Sequence, residues 1–306
     1  MADDQQIIEA FEAREGRRTN RRDMFRGFAA ASAAAGGFVL ANKSSPVAAQ
    51  SVSDGDILNF ALNLEYLEAQ FYVYAASGAG LPESLLSGTG TRGQATGGRR
   101  VNFTDPAVAA YAREIAADEQ AHVAFLRGAL GSAAVAQPAI DISASPNGAF
   151  STAARAAGLI GPGQSFDPYA SDENFLLAAY IFEDVGVTAY KGASPLISNK
   201  TFLEAAAGIL AVEAYHASLV RTTLYAKGMQ APSLIDASIA ISNARDSLDG
   251  SSDLDQGLTT SRTFGGTASN IAPLDENGLA YSRSAGQVLN IVYLNNMAVT
   301  GGGFFP

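Results

Sequence analysis

Apolar residues along the chain fall into long runs bounded by helix start and stop signals, and the runs are separated by stretches rich in glycine, serine and threonine. Ser53-Asp54-Gly55-Asp56 opens the first predicted helix, whose apolar-rich run reaches Ala76 before Ser77-Gly78 ends it. Residues 77–103 have no periodicity and predict a long loop. Thr104-Asp105-Pro106 sets an N-cap before a proline in the first turn, and the second helix runs from there to about Leu130, before Gly131. Residues 131–170 read as another irregular stretch. Ser171-Asp172-Glu173 caps a third helix reaching about Tyr190, with Gly192 beyond it. A fourth spans about Lys200 to Lys227 and stops at Gly228, and a shorter fifth spans Ser233 to Leu248. From residue 250 to 306 the chain is again rich in Gly, Ser and Thr, with one apolar segment, Gln287 to Leu294, that suits a helix or a strand. No series of alternating strands is present, so the expected class is all-α with a long C-terminal extension.

The first fifty residues read as an address rather than as part of this fold. Arg21-Arg22-Asp23-Met24-Phe25 resembles a twin-arginine export motif, followed by a weakly apolar stretch from Phe28 to Ala41 and then Val47-Ala48-Ala49. The stretch is shorter than the roughly 20 residues that span a bilayer, so no transmembrane span is expected there. The division that follows is a signal peptide over 1–49, a helical bundle over 50–249 and an extension over 250–306 packing on the bundle. The protein is expected to be exported, to the bacterial periplasm or beyond, with cleavage near Ala49. Twin-arginine substrates typically cross the membrane already folded, which suits a protein loaded with a cofactor beforehand.

Composition narrows the chemistry. At 306 residues and 47% apolar, the chain can bury a substantial core. It has no cysteine, which excludes disulfides, thiolate metal sites and thiol nucleophiles. Its net charge of −10, with no basic face beyond the leader, argues against nucleic acid as a partner and suits a soluble protein that attracts cations.

There are only two histidines, and each stands three residues after a glutamate: Glu119-Gln120-Ala121-His122 and Glu213-Ala214-Tyr215-His216. On a helix this spacing puts carboxylate and imidazole on one face. By composition alone, that coincidence would arise in roughly one sequence in 500. The helices also repeat in pairs. The first carries Glu65 and, seven residues on, Tyr72; the third carries Glu183 and, seven on, Tyr190. In the second and fourth, Arg127 and Arg221 each lie five residues beyond the histidine. The order is therefore Glu, Glu-x-x-His, Glu, Glu-x-x-His. Two such helix hairpins around a pseudo-two-fold axis would aim four carboxylates and two imidazoles into one core.

Four ionised carboxylates in a dry core would repel one another and lose their hydration. Two divalent cations would balance them, each taking one histidine nitrogen and a share of the carboxylates, with positions open for water, dioxygen or peroxide.

This constellation resembles the ferritin-like superfamily of di-metal carboxylate proteins, with the fold of a four-helix bundle to which a helix and a long, largely irregular C-terminal extension are added. More narrowly, the run from Leu58 to Tyr72 and the ending Gly301-Gly302-Gly303-Phe304-Phe305-Pro306 resemble the ferritin-like family that includes desiccation-related proteins. The resemblance implies Glu65, Glu119, His122, Glu183, Glu213 and His216 as ligands of two iron or manganese ions, with Glu119 and Glu213 bridging. Glu68, one turn from Glu65, is open among a ligand, a nearby base and a surface charge; the matched spacing to tyrosine favours Glu65. Tyr72 and Tyr190 are expected either to orient carboxylates across the bundle or to serve as ordinary core aromatics. Asp118 and Asp184 adjoin ligand positions and could hold the far nitrogens of the histidines, although one residue off the ligand face solvent is the expected place. Arg127 and Arg221 are expected at the surface.

The resemblance implies a metal centre that reacts with peroxide or dioxygen in oxidative or desiccation stress. The alternative is a metal-binding or stress-protective structural protein without turnover. A homo-oligomer is open, but the Gly-rich loops and long tail are unlike a minimal cage-forming ferritin.

Overall fold

The computed structural model describes residues 52–258 and 268–306; the leader expected over residues 1–49 lies outside them. Seven α-helices dominate: α1 (Asp54–Ser77), α2 (Pro106–Leu130), α3 (Ala149–Ala156), α4 (Asp172–Ala193), α5 (Lys200–Gly228), α6 (Ser233–Asp249) and α7 (Ala285–Val292). Two short strands, β1 (Ala95–Thr96) and β2 (Ile140–Asp141), pair in parallel and tie together the two irregular stretches that flank α2.

The helix ends lie where the chain supplies partners for the exposed backbone groups. Ser53 and Asp56 form a reciprocal capping box at the start of α1, and Gly78, at φ 86°, closes its end in the left-handed conformation. Asp105, Ser171 and Asn199 cap α2, α4 and α5 with side-chain oxygens. Three segments differ from the expectation. Gly192 lies inside α4 rather than beyond it, because a β-carbon there would strike the backbone of Arg283 in the extension. The stretch 131–170 contains α3, an eight-residue helix too short to show a periodic signal, held by burial of Ala149, Phe150 and Ala154. The ambiguous apolar segment is helical, α7, opened by a capping box between Ser284 and Gln287.

α1 pairs with α2 and α4 with α5, each pair antiparallel. The start of α1 meets the end of α2, where Asn59 donates to the Ala133 carbonyl at 3.0 Å, and the end of α5 meets the start of α4 through Lys227 and Glu173 at 3.0 Å. The two hairpins are related by a pseudo-two-fold axis visible in their caps. Asp54, first residue of α1, accepts from the backbone of Ser198 and Asn199 beside α5, each at 2.8 Å. Asp172, first residue of α4, accepts from Asp105 beside α2 at 2.9 Å. Each acid thereby meets the positive end of a helix in the other hairpin.

α1 and α4 are apolar nearly all round and occupy the interior, while α2 and α5 keep an exposed outer face. The outer side of α4 is covered by α6 and α7. An aromatic cluster of Phe71, Phe150, Phe175, Phe182 and Phe304 joins the bundle to the last residues of the chain. By length and hydropathy α5 is the one described helix able to cross a membrane, but it carries Glu213, His216 and Arg221 on its buried face.

A carboxylate and histidine centre inside the bundle

The spacing within each helix sends one carboxylate from α1, one from α4 and a Glu-x-x-His pair from α2 and α5 into the middle of the bundle. Glu65, Glu119, Glu183 and Glu213 are each at most 1% exposed, and His122 and His216 are buried beside them. Their donor atoms form two overlapping groups, each with all atoms within 4.8 Å: Glu65, Glu119, His122 and Glu213 in one, and Glu119, Glu183 and His216 in the other. Glu119 belongs to both. The imidazole centroids lie 6.2 Å apart.

Both histidines turn Nδ1 toward the carboxylates. His122 Nδ1 lies 3.2 Å from Glu65 and 3.6 Å from Glu119; His216 Nδ1 lies 3.0 Å from Glu119 and 3.7 Å from Glu183. The far nitrogen of His216, Nε2, lies 3.2 Å from Asp118. A proton on Nε2 donated to Asp118 leaves the Nδ1 lone pair directed inward, the tautomer a metal ligand needs.

The tyrosines cross the bundle as a matched pair. Tyr72 of α1 donates to Glu183 of α4, and Tyr190 of α4 donates to Glu65 of α1. Burial, reinforced by the neighbouring carboxylates, holds both phenols well above their ordinary pKa, so they remain protonated donors. Each engages Oε1 of its glutamate and leaves Oε2 directed at the centre.

The charge balance of the centre is lopsided. Glu68 is buried as well, so five carboxylates face two imidazoles. Burial and mutual repulsion push Glu119 and Glu213 well above the ordinary carboxylate range, and burial raises Glu183 to about 8 against the hydrogen bond from Tyr72. Burial acts on Glu65 too, but the hydrogen bond and charge of His122 outweigh it and hold this carboxyl low. Burial also pulls His216 down, against the pull of Asp118. Both carboxylate oxygens of Glu119 and of Glu213, with Glu183 Oε2 and His216 Nδ1, are buried without a hydrogen-bond partner. Buried oxygens of that kind are costly. Oxygen and imidazole donors converging within metal-ligand reach fit divalent cations of the iron and manganese type.

Asp184, Arg221 and Arg127 take places the sequence did not indicate, while Glu68 and Asp118 fall within the alternatives it left open. Glu68 is neither at the surface nor within either donor group; it lies buried one turn from Glu65. Asp118 does reach a histidine, across the bundle on α5. Asp184 touches no histidine and is not solvated: it pairs with Arg221 at 2.7 Å and Arg245 at 3.0 Å. Arg221, expected at the surface, is fully buried, and also donates to the carbonyls of Gln256, Gly257 and Asn270 in the extension. Arg127 is half-buried and donates to Tyr66 and Ser87. The symmetry of the metal motifs therefore stops short of their arginines: one secures a loop, the other anchors the tail.

Residues 53–226 match the family described as a ferritin-like domain. Among curated proteins, the desiccation-related protein PCC13-62 of Craterostigma plantagineum is 30% identical over 266 residues, covering 83% of this chain and 82% of the relative. The ferritin-like catalase Nec2 of Nesocodon mauritianus is 28% identical over the same shares. No solved structure matches.

Proposed function

The chain belongs to the ferritin-like domain family, and from that membership we propose that it holds two iron or manganese ions and uses them to break down hydrogen peroxide. The observation that carries this reading is the buried surplus of carboxylates, in which the inward oxygens of Glu119, Glu183 and Glu213 have no hydrogen-bond partner. Glu65, Glu119, His122, Glu183, Glu213 and His216 are the ligands. Glu119, the one residue common to both donor groups, would serve both ions, and Glu213 would join Glu65 and His122 in holding one of them from across the bundle.

The bound ions would supply one-electron couples that take electrons from one peroxide and return them to another. The net change, two hydrogen peroxide to two water and one dioxygen, needs no outside donor. That suits a chain without cysteine, which has no thiol couple to offer. The relative named a ferritin-like catalase supports this choice of reaction. The protein's own groups do the rest. Tyr72 and Tyr190 fix the carboxylates of Glu183 and Glu65, Asp118 fixes the tautomer of His216, and the apolar faces of α1 and α4 exclude bulk water. Because Glu119, Glu183 and Glu213 bind protons tightly without metal, loading releases protons and strengthens as pH rises.

The relative named as desiccation-related supports a second reading, in which metals stabilise a stress-protective bundle without turnover. Elemental analysis of the protein expressed with iron and manganese available, followed by oxygen evolution on adding peroxide, separates the two. About two ions per chain with oxygen release supports the catalase reading. Two ions without turnover moves the conclusion to the protective bundle, and no metal after anaerobic reconstitution overturns both. The Arg21-Arg22 motif supports a reading in which the protein works after export, and that reading expects the mature protein to begin at Gln50 on N-terminal sequencing.

A further inference from the structure

Between α1 and α4 lies a small cavity that the C-terminal extension lines on one side. Leu64 and Leu67 of α1 and Ile181 and Val185 of α4 form its walls. Its outer cover is the extension itself: Ile291 and Val292 of α7, with Phe304. Its inner end is Glu68 and Gly186. A β-carbon added at Gly186 would collide with the Glu213 carboxylate and lie 3.4 Å from Glu68, so the cavity ends against the carboxylates of the centre. The volume is about 20 Å³. One water fills roughly 10–15 Å³, so there is room for a molecule of peroxide size.

Phe304 is held firmly. Its ring packs edge-on against Phe150 at 5.1 Å and Phe182 at 5.0 Å. Its backbone donates to the Val292 carbonyl at 2.9 Å and accepts from Asp141 at 3.0 Å. The ring is fully buried although it lies two residues from the end of the sequence given. The cost of desolvation bars ions from walls of this kind and admits small uncharged molecules.

We propose that this cavity is the route by which a small neutral oxidant reaches the centre, and that Phe304 is its size-selecting residue. The proposal rests on the peroxide reading above and adds to it a task for the C-terminal extension. The rival route runs past His122 and the half-exposed Asp118.

Two measurements on the full chain test this. The first needs no metal: crystals pressurised with xenon should show it between Val185, Val292 and Phe304, since apolar cavities take up xenon. The variant Val292→Phe should exclude it. The second compares hydrogen peroxide alone with a mixture of hydrogen peroxide and tert-butyl hydroperoxide at equal measured metal content; in the mixture hydrogen peroxide, leaving as dioxygen, returns the two electrons that reduction of the larger peroxide to tert-butanol and water consumes. Phe304→Ala should raise relative use of the larger peroxide by about tenfold, the scale on which apolar pockets discriminate size, and Val292→Phe should slow use of both. An empty cavity under xenon, or an unchanged preference in Phe304→Ala at full metal content, overturns the proposal and favours the histidine side. If loaded wild type consumes neither peroxide, the functional reading fails; the xenon result then decides alone whether the cavity is open to small molecules.

Discussion

Glu183 and Asp184 are consecutive residues of α4, both buried, and they belong to two charged clusters of opposite design. Glu183 faces the metal-type centre, where carboxylates outnumber cationic groups. Asp184 faces a chain of alternating charge: Arg221, Asp184, Arg245, Asp255, Arg283 and Asp249, with successive contacts between 2.6 and 3.0 Å. Tyr180 lies beneath two of its guanidiniums, at 5.3 Å from Arg221 and 4.7 Å from Arg245. The electrostatics differ accordingly. Burial would raise Asp255, but Arg245 and Arg283 outweigh it and hold this carboxyl low, whereas burial and like charge push Glu119 and Glu213 up. One cluster carries its own counter-ions and locks the extension to the bundle. The other omits them, which is what a site that receives metal cations requires.

The sharpest way to break the contrast is to remove two of the acids at the centre. Glu119→Ala with Glu213→Ala should take metal content from about two per chain to none. At a hundredfold excess of metal over Kd each site adds about 2.7 kcal/mol, so the variant should lack about 5 kcal/mol of metal-linked stability that the wild type shows in denaturant titrations. Retention of two ions would refute the ligand assignment.

Breaking the self-neutralised cluster should act differently. Arg245→Ala strands Asp184 and Asp255 in the interior, and removing one partner of a buried ion pair costs about 3–5 kcal/mol. The loss should be as large with metal as without. If metal loading restores the variant fully, the two clusters are not independent.

A pH series separates the clusters without mutation. Glu119, Glu183 and Glu213 have pKa values raised in the folded state, Glu183 to about 8, so the folded metal-free protein binds more protons than the unfolded chain. Stability from these groups is therefore full below the unfolded value of 4.5 and falls as pH rises through about 8. The melting temperature of metal-free protein should drop across that window, while the loaded protein should not follow it because cations replace the protons. Equal pH dependence in both states would show that the carboxylates are not where metal binds.

The same contrast explains what the sequence revealed. A cluster of carboxylates and imidazoles built on helices demands fixed local spacings, so Glu119 with His122, Glu213 with His216, and Glu65 and Glu183 with their tyrosines are legible from intervals of three and seven. The ionic chain has no local period: Arg221, Arg245 and Arg283 come from α5, α6 and the extension and meet only in the folded state. Arg221 was expected at the surface because arginine usually is, and only long-range partners reverse that. Gly192 looked like a helix stop because a glycine needed for close approach to Arg283 leaves the same local mark as a C-cap. Helix α3 was missed for its length.

The smallest effect should come from Asp118, which stands beside Glu119 as Asp184 stands beside Glu183. Asp184 is enclosed by arginines, whereas Asp118 is 42% exposed and contacts a single imidazole nitrogen. Asn at this position keeps an acceptor for His216 Nε2 but loses the charge that makes the imidazole a stronger ligand. Loss of such a partner typically costs about 10–100-fold in metal affinity, and solvent exposure places Asp118→Asn at or below the low end. Competition titration against a chelator should show a loss of about tenfold or less, with the metal-free melting temperature unchanged. A loss beyond about a hundredfold would mean that the Asp118 carboxylate itself binds metal, and the boundary drawn between ligand and support would move outward by one residue.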